Sequence, residues 1–219
     1  MNGNENYILS KAVNNYYNMI SSILRNTIKF TNGRTAREKW AKTFNIVNEL
    51  TIDEFNKDCN HVFNKEAIIQ LDTSDRQTVI EAIPLDKIEW NKNCEKIYII
   101  TKNKKIIKIG GTRNGMKERF GSYLCGHHVC ERGKSGKMSV TNAHLYHTME
   151  KDLLETECEW EFYTWTLPVI DYTVNILGNE TKINVQTYHA YESCCINKYK
   201  NKTGHIPILC DNCDPVYTK

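Results

Sequence analysis

The sequence predicts an α+β fold, a small antiparallel β-sheet flanked by helices, with a mostly helical region at its N-terminal end. Three observations predict it. Residues 96–111 hold two short β-branched runs, KIYIIT and IIKIGG, separated by the polar turn KNKK. Residues 4–50 instead carry apolar side chains at helical spacing. The chain of 219 residues is 40% apolar and 25% charged with only 11 Gly and 4 Pro, enough to build a core. That excludes collagen-like, mucin-like and wholly disordered classes.

Taken in order, Ile8, Ala12, Tyr16, Met19, Ile20, Ile23, Leu24 and Ile28 recur on one face of a helix over 4–30. A second helix is expected over 35–50, where Thr35 and Glu38 have capping-box spacing. Thr51 and Glu54 repeat that spacing before a short third helix. Ser74 is a candidate cap for a helix near 75–83. Residues 1–92, with 12 basic and 12 acidic side chains, form a helical accessory region, and 93–219 a second domain. After the 96–111 hairpin, Met116, Phe120 and Leu124 mark a helix, 126–138 a basic loop, and 140–155 another helix. WEFYTWTL (160–167) is a third strand closed by Pro168. Residues 172–185 read as a second hairpin around Gly178–Asn179, and 188–202 as a final helix.

Charge is unevenly placed. Residues 102–138 hold 10 Lys/Arg against Glu118 and Glu131, whereas 139–181 hold eight acidic side chains against Lys151 alone. A polarised field of this kind suits a surface that tracks phosphates, although a solvated face explains a lone charge run as well. The nine cysteines follow no small-scaffold spacing, so free thiols in a reducing, intracellular compartment are expected. No apolar stretch is long enough to span a membrane, and the first residues lack the basic-then-apolar pattern of a secretory leader.

The segment KIYIITKNKKIIKIGGTRNGMKERFGSY resembles the core of the GIY-YIG nucleases. Tyr98 matches the tyrosine that ends the family's first motif, and Lys108–Ile109–Gly110 its second. Arg119 matches the arginine of the following helix, Glu192 the glutamate of a later one, and Asn212, after Pro207 and Leu209, the closing asparagine. The resemblance covers about 94–213, with an insertion at 126–187. Lys96 stands where the first motif has Gly, and Lys108 where the second has Tyr. That second replacement is most like a branch of the family's type II restriction enzymes. Tyr123 occupies a position where many members carry His.

The resemblance implies a Mg²⁺-dependent, sequence-specific DNA endonuclease, with Mn²⁺ able to substitute. Tyr98 would act as general base, Glu192 would be the metal ligand, Arg119 would fork onto phosphate oxygens, and Tyr123 and Asn212 would complete the catalytic set. A free phenol titrates near ~10. A cation about 4 Å away contributes up to ~4 kcal/mol at an effective dielectric near 20, and Lys108 is the neighbour placed to lower Tyr98. Lys117, Arg132, Lys134, Lys137, Asn142 and His144 are candidate DNA contacts, Arg and Lys suiting guanine and Asn adenine. His144 and His147 are expected to face the DNA groove. Cutting both strands of a duplex calls for two copies about a two-fold axis, hence a homodimer, with Tyr16, Tyr17, Trp40 and Phe44 as candidate anchors.

Three alternatives stand beside this reading. Within nucleases, a homing or repair enzyme is the runner-up. Cys210 and Cys213 have zinc-ligand spacing and Cys125 and Cys130 enclose two histidines, so a structural Zn²⁺ is a lesser alternative, weakened because Asn212 lies inside the pair. A non-catalytic DNA-binding module would use the basic segment with Tyr123 and Tyr146, but binding alone requires no metal carboxylate.

Overall fold

The hairpin of 96–111 forms as its sequence dictates. Asn103 and Lys104 take φ of 50° and 64°, the left-handed pair that a two-residue turn needs between twisted strands. The computed structural model describes residues 13, 15–21, 23, 34–59, 61–74, 79–126 and 140–210. After the helical residues among 13–23, the elements are α1 (Arg34–Trp40), α2 (Ile52–Lys57), β1 (Asn64–Leu71), β2 (Ile80–Pro84) and α3 (Lys87–Asn91). Then come β3 (Lys96–Lys102), β4 (Lys105–Thr112), α4 (Met116–Leu124), α5 (Val140–Glu155), β5 (Trp160–Thr166), β6 (Asp171–Ile176), β7 (Asn179–Asn184) and α6 (Tyr188–Thr203).

Five strands make one antiparallel sheet in the order β2-β1-β5-β3-β4, and β6-β7 is a separate hairpin. Two apolar layers follow from strand alternation. Tyr98, Ile100, Trp160 and Phe162 pack against α4 and α5 residues such as Phe120, Tyr123 and Tyr146. Ile97, Ile99 and Ile109 pack on the other face against Ile196 and Tyr199 of α6 and Phe55 of α2. Edge strand β4 is covered by the tail, where Leu209 N–H donates to Ile107 O at 3.0 Å and Ile109 N–H to Cys210 Sγ at 3.2 Å. No helix among the described residues is long and apolar enough to cross a membrane.

The N-terminal region differs from the sequence expectation. Residues 64–71 and 80–84 are strands, so the sheet crosses the boundary expected at 92/93, and part of the helix expected near 75–83 is β2. The helix expected over 35–50 has Thr35 inside it rather than at its cap, and ends at Trp40. Tertiary contacts end it: His144 Nδ1 meets Trp40 O at 2.7 Å, and Thr148 Oγ1 accepts from Lys42 N–H at 2.9 Å. Most of the helix expected over 4–30 lies outside the described residues.

The capping box at Thr51 is present in both halves. Glu54 N–H donates to Thr51 Oγ1 at 3.2 Å and Thr51 N–H to Glu54 Oε2 at 2.8 Å. Thr51→Ala is expected to cost about 1 kcal/mol, read as a lowered melting temperature; an unchanged melt would show the box to be dispensable.

Two ionic clusters are buried in this frame. Lys96, fully buried, is held by Glu66 at 2.9 Å and Glu89 at 3.0 Å. Arg37 meets Glu150 at 2.9 Å, and Glu150 also meets His147 at 2.8 Å, which ties α1 to α5.

Candidate active site

The site gathers around Gly110–Gly111, near the end of edge strand β4. Register places it: Tyr98 pairs with Gly110 and Ile100 with Lys108, so Tyr98, Lys108 and the bare position at 110 share the α4 face. Gly111 pairs with Ile97 and belongs to the opposite face, where α6 lies. Glycine is required by close approach at both positions. A Cβ on Gly110 would stand 2.3 Å from Tyr98 Oη, and one on Gly111 would stand 2.6 Å from the Tyr188 ring and 3.0 Å from Glu192 Oε2. Side chains from the two faces of the sheet therefore meet across a strand stripped of its own.

On the α4 side, the Tyr98 and Tyr123 hydroxyls share a hydrogen bond of 2.5 Å. Arg119 donates to both, from Nε to Tyr98 Oη at 2.9 Å and from its terminal nitrogen to Tyr123 Oη at 3.1 Å. Positions 119 and 123 are one helical turn apart, which puts both on the α4 face turned to β3. The guanidinium carbon lies 4.5 Å from the Tyr123 ring centroid, so the cation also rests on that ring. Lys108, buried, donates to Leu209 O at 2.9 Å.

Glu192 enters from the α6 side. Burial pushes its carboxyl above the ordinary range, opposed by the charges of Lys108, His189 and Arg119 and by a backbone hydrogen bond from Gly111. The expected lowering of Tyr98 does not occur. Burial raises the phenol well above its ordinary value, neighbouring Tyr123 adds to the rise, and Arg119 and Lys108 offset only part of it. Desolvation of a phenolate outweighs two nearby cations here, so Tyr98 rests protonated.

The remaining candidates divide. Lys117 is exposed on α4. Asn212, Arg132, Lys134, Lys137, Cys130 and Cys213 lie outside the described residues. Asn142 donates to Ser122 O at 3.0 Å, tying α5 to α4. His144, half-buried, packs its ring on Trp40 at 5.3 Å, whereas His147 does not face a groove, because it is buried against Glu150. Tyr146 is buried too, its hydroxyl accepting from Val79 N–H at 3.1 Å. The Cys210 thiol, the zinc candidate, is engaged with the Ile109 backbone at 3.2 Å, and no three-residue metal cluster exists among the described residues.

Folding also tempers the polarised charge. The acidic stretch turns back on the basic one, pairing Lys102 with Asp152 at 2.5 Å and Lys104 with Glu161 at 3.0 Å. Lys102 is thereby drawn largely off the surface, whereas Lys104 keeps part of its side chain exposed. The sequence pattern did not single out Arg113, Asn114 or Tyr188, which line an open cleft with Gly111, Arg119 and Ser122.

No family model matches the chain, and no curated protein does. Among solved structures, it is similar to the restriction endonuclease HPY188I in complex with product DNA, at 20% identity over 78% of this chain and 96% of that one, with a TM-score of 0.44. It is also similar to a mutant of bacteriophage T4 EndoII, at 19% identity over 68% of this chain and 94% of that one, with a TM-score of 0.45. Neither assigns a role to any residue of this chain.

Proposed function

We propose that this chain is a Mg²⁺-dependent DNA endonuclease of the GIY-YIG type, with the character of that family's type II restriction enzymes. The observation that carries the reading is the convergence of Tyr98, Tyr123 and Arg119, in mutual hydrogen-bond contact, with Glu192 across Gly110–Gly111. Phosphodiester hydrolysis needs a base for water, donors for the developing phosphate charge and a hard oxygen for a cation, and this cluster offers all three.

The donor set fits the metal. Glu192 brings a single carboxylate to a half-buried site, and Mg²⁺ characteristically takes one or two protein carboxylates while keeping water and substrate phosphate. Bound there, Mg²⁺ (or Mn²⁺) would supply Lewis acidity to the phosphate. The chain's own groups do the rest. Arg119, fixed by two phenols, holds a phosphate oxygen. Tyr98 takes the proton of the attacking water only as the phenolate, its own proton having first passed to bulk water, and Arg119 and Lys108 reduce the cost of that loss. Tyr123 orients the Tyr98 oxygen, and Asn212 is assigned to orient phosphate. Lys117 and the basic 126–138 loop with Arg132, Lys134 and Lys137 are the proposed DNA contacts, and a homodimer, at least on DNA, completes a two-strand cut.

Long DNA containing every short sequence, incubated with the chain and Mg²⁺, is expected to give fragments with uniform ends, and none with EDTA. Intact DNA with both Mg²⁺ and Mn²⁺ would overturn the reading. The pH profile carries a second expectation. Protonated Glu192 cannot hold a cation, and burial raises its pKa, so protons compete at a higher pH than for an exposed glutamate near ~4.3. The acid limb of kcat/KM at limiting Mg²⁺ should lie above that value and move down as Mg²⁺ is raised. A limb indifferent to Mg²⁺ would detach it from metal binding.

A further inference from the structure

One turn before Glu192 on α6, Tyr188 presses its ring onto the same bare Gly111 backbone. The two side chains therefore stand side by side along β4, and whatever phosphate sits at Glu192 has Tyr188 as its next neighbour along α6. Beyond Tyr188 the cleft is walled by Arg113 and Asn114. Asn114 Nδ2 donates to Glu118 Oε2 at 2.8 Å, which occupies the cleft's acidic side chain. Arg113 is braced differently. The Gln186 amide oxygen, in the orientation that satisfies both groups, accepts from its Nη1 at 3.1 Å and Nε at 3.3 Å. Among the described residues no carboxylate forms a salt bridge with Arg113, so its charge is held in place without being neutralised. A second cleft, bounded by Glu95, Pro168, Ile170 and Asn184, meets the first at Arg113 and Asn114.

We infer that this cleft seats the nucleotide next to the scissile phosphate, with Arg113 gripping the adjacent phosphate of the same strand and Tyr188 packing against the intervening sugar or base. The inference rests on the nuclease reading for the location of the scissile phosphate. An amide-braced guanidinium suits it because an uncompensated, oriented Arg binds phosphate in a fixed geometry, whereas one paired with a carboxylate would have to break that pair first. The Tyr188 ring, already 4.0 Å from the His189 ring, adds an aromatic surface that is sequence-tolerant, since every nucleotide offers a ring to pack on. The strand would then leave through the second cleft, along the base of the β6-β7 hairpin.

The test uses the full chain and two small probes, thymidine 3′,5′-bisphosphate and thymidine 5′-monophosphate, titrated calorimetrically without metal. Wild type should bind the bisphosphate about tenfold more tightly than the monophosphate. In Arg113→Ala that advantage should vanish, and in Arg113→Lys it should return in part. Tyr188→Ala should weaken both probes by about threefold or more, with Tyr188→Phe close to wild type. On DNA, Arg113→Ala should raise KM with little change in kcat. If wild type shows no bisphosphate advantage, or Arg113→Ala keeps it, the subsite is overturned even when the chain cleaves DNA. If the Arg113-dependent advantage is present but wild type cleaves no DNA, the nuclease reading fails and the nucleotide site stands.

Discussion

Glu192→Gln is expected to abolish cleavage, by about 10³-fold or more in kcat/KM, while duplex binding is kept or tightened. Gln preserves the shape that packs on Gly111 and can still accept that residue's N–H, so the local fold is retained. What it removes is the negative charge that would hold the cation. The same charge repels phosphate, so its loss leaves the positive charges of Lys108 and Arg119 with less opposition. Plasmid cleavage and gel mobility shift on the same preparation separate the two effects. A variant that cleaves at the wild-type rate would remove Glu192 from the metal site.

Gly110→Ala should be nearly as damaging, through geometry alone. The added carbon would stand 2.3 Å from Tyr98 Oη and 2.4 Å from its Cζ, a distance no side chain tolerates. Tyr98 has nowhere to go, since it is buried against Phe162 and bonded to Tyr123. Overpacking of this kind costs about 1–3 kcal/mol, and the displaced phenol leaves Arg119 without one of its two anchors. Thermal melting and cleavage should therefore fall together. Gly121→Ala is the control, because nothing lies within 4 Å of its added carbon and Ala favours a helix. Wild-type melting and cleavage by Gly110→Ala would mean that the ring does not sit where the site requires it.

Local signals were readable and long-range ones were not. The helix over 140–155, the strand from 160 and the capping box at Thr51 are encoded within a few residues of themselves, and each appears where expected. β1 is different. Its register shifts between Lys65 and Ala67, with Glu66 turned onto Lys96, and its partner β5 arrives some ninety residues later, so its own alternation is broken. α1 stops because two α5 side chains claim the backbone beyond Trp40, which no window around residue 40 can reveal. The order Tyr98, Lys108, Arg119, Glu192 was legible, and the structure brings these side chains to one end of β4. The cost of burying Tyr98 was not, because desolvation depends on Phe162, Tyr123 and other residues far along the chain. His147 misled for the same reason. Its polarity suggested a groove, whereas Glu150 holds its ring in the core.

The strand order has a consequence for how the protein is made. β1-β2 and β3-β4 are each complete hairpins by residue 112, yet they never touch side by side, because β5 lies between them. As the chain leaves the ribosome, both hairpins must wait with one edge open until residues 160–166 emerge and pair with both. Tyr98 gains its second flanking strand only at that insertion, and Glu192 follows later still on α6. A half-synthesised chain therefore exposes two unpaired strand edges and carries no assembled site. Synthesis of the sheet and assembly of the cluster are thus separated in time by topology, with α6, the last helix in sequence among the described residues, bringing the Glu192 carboxylate.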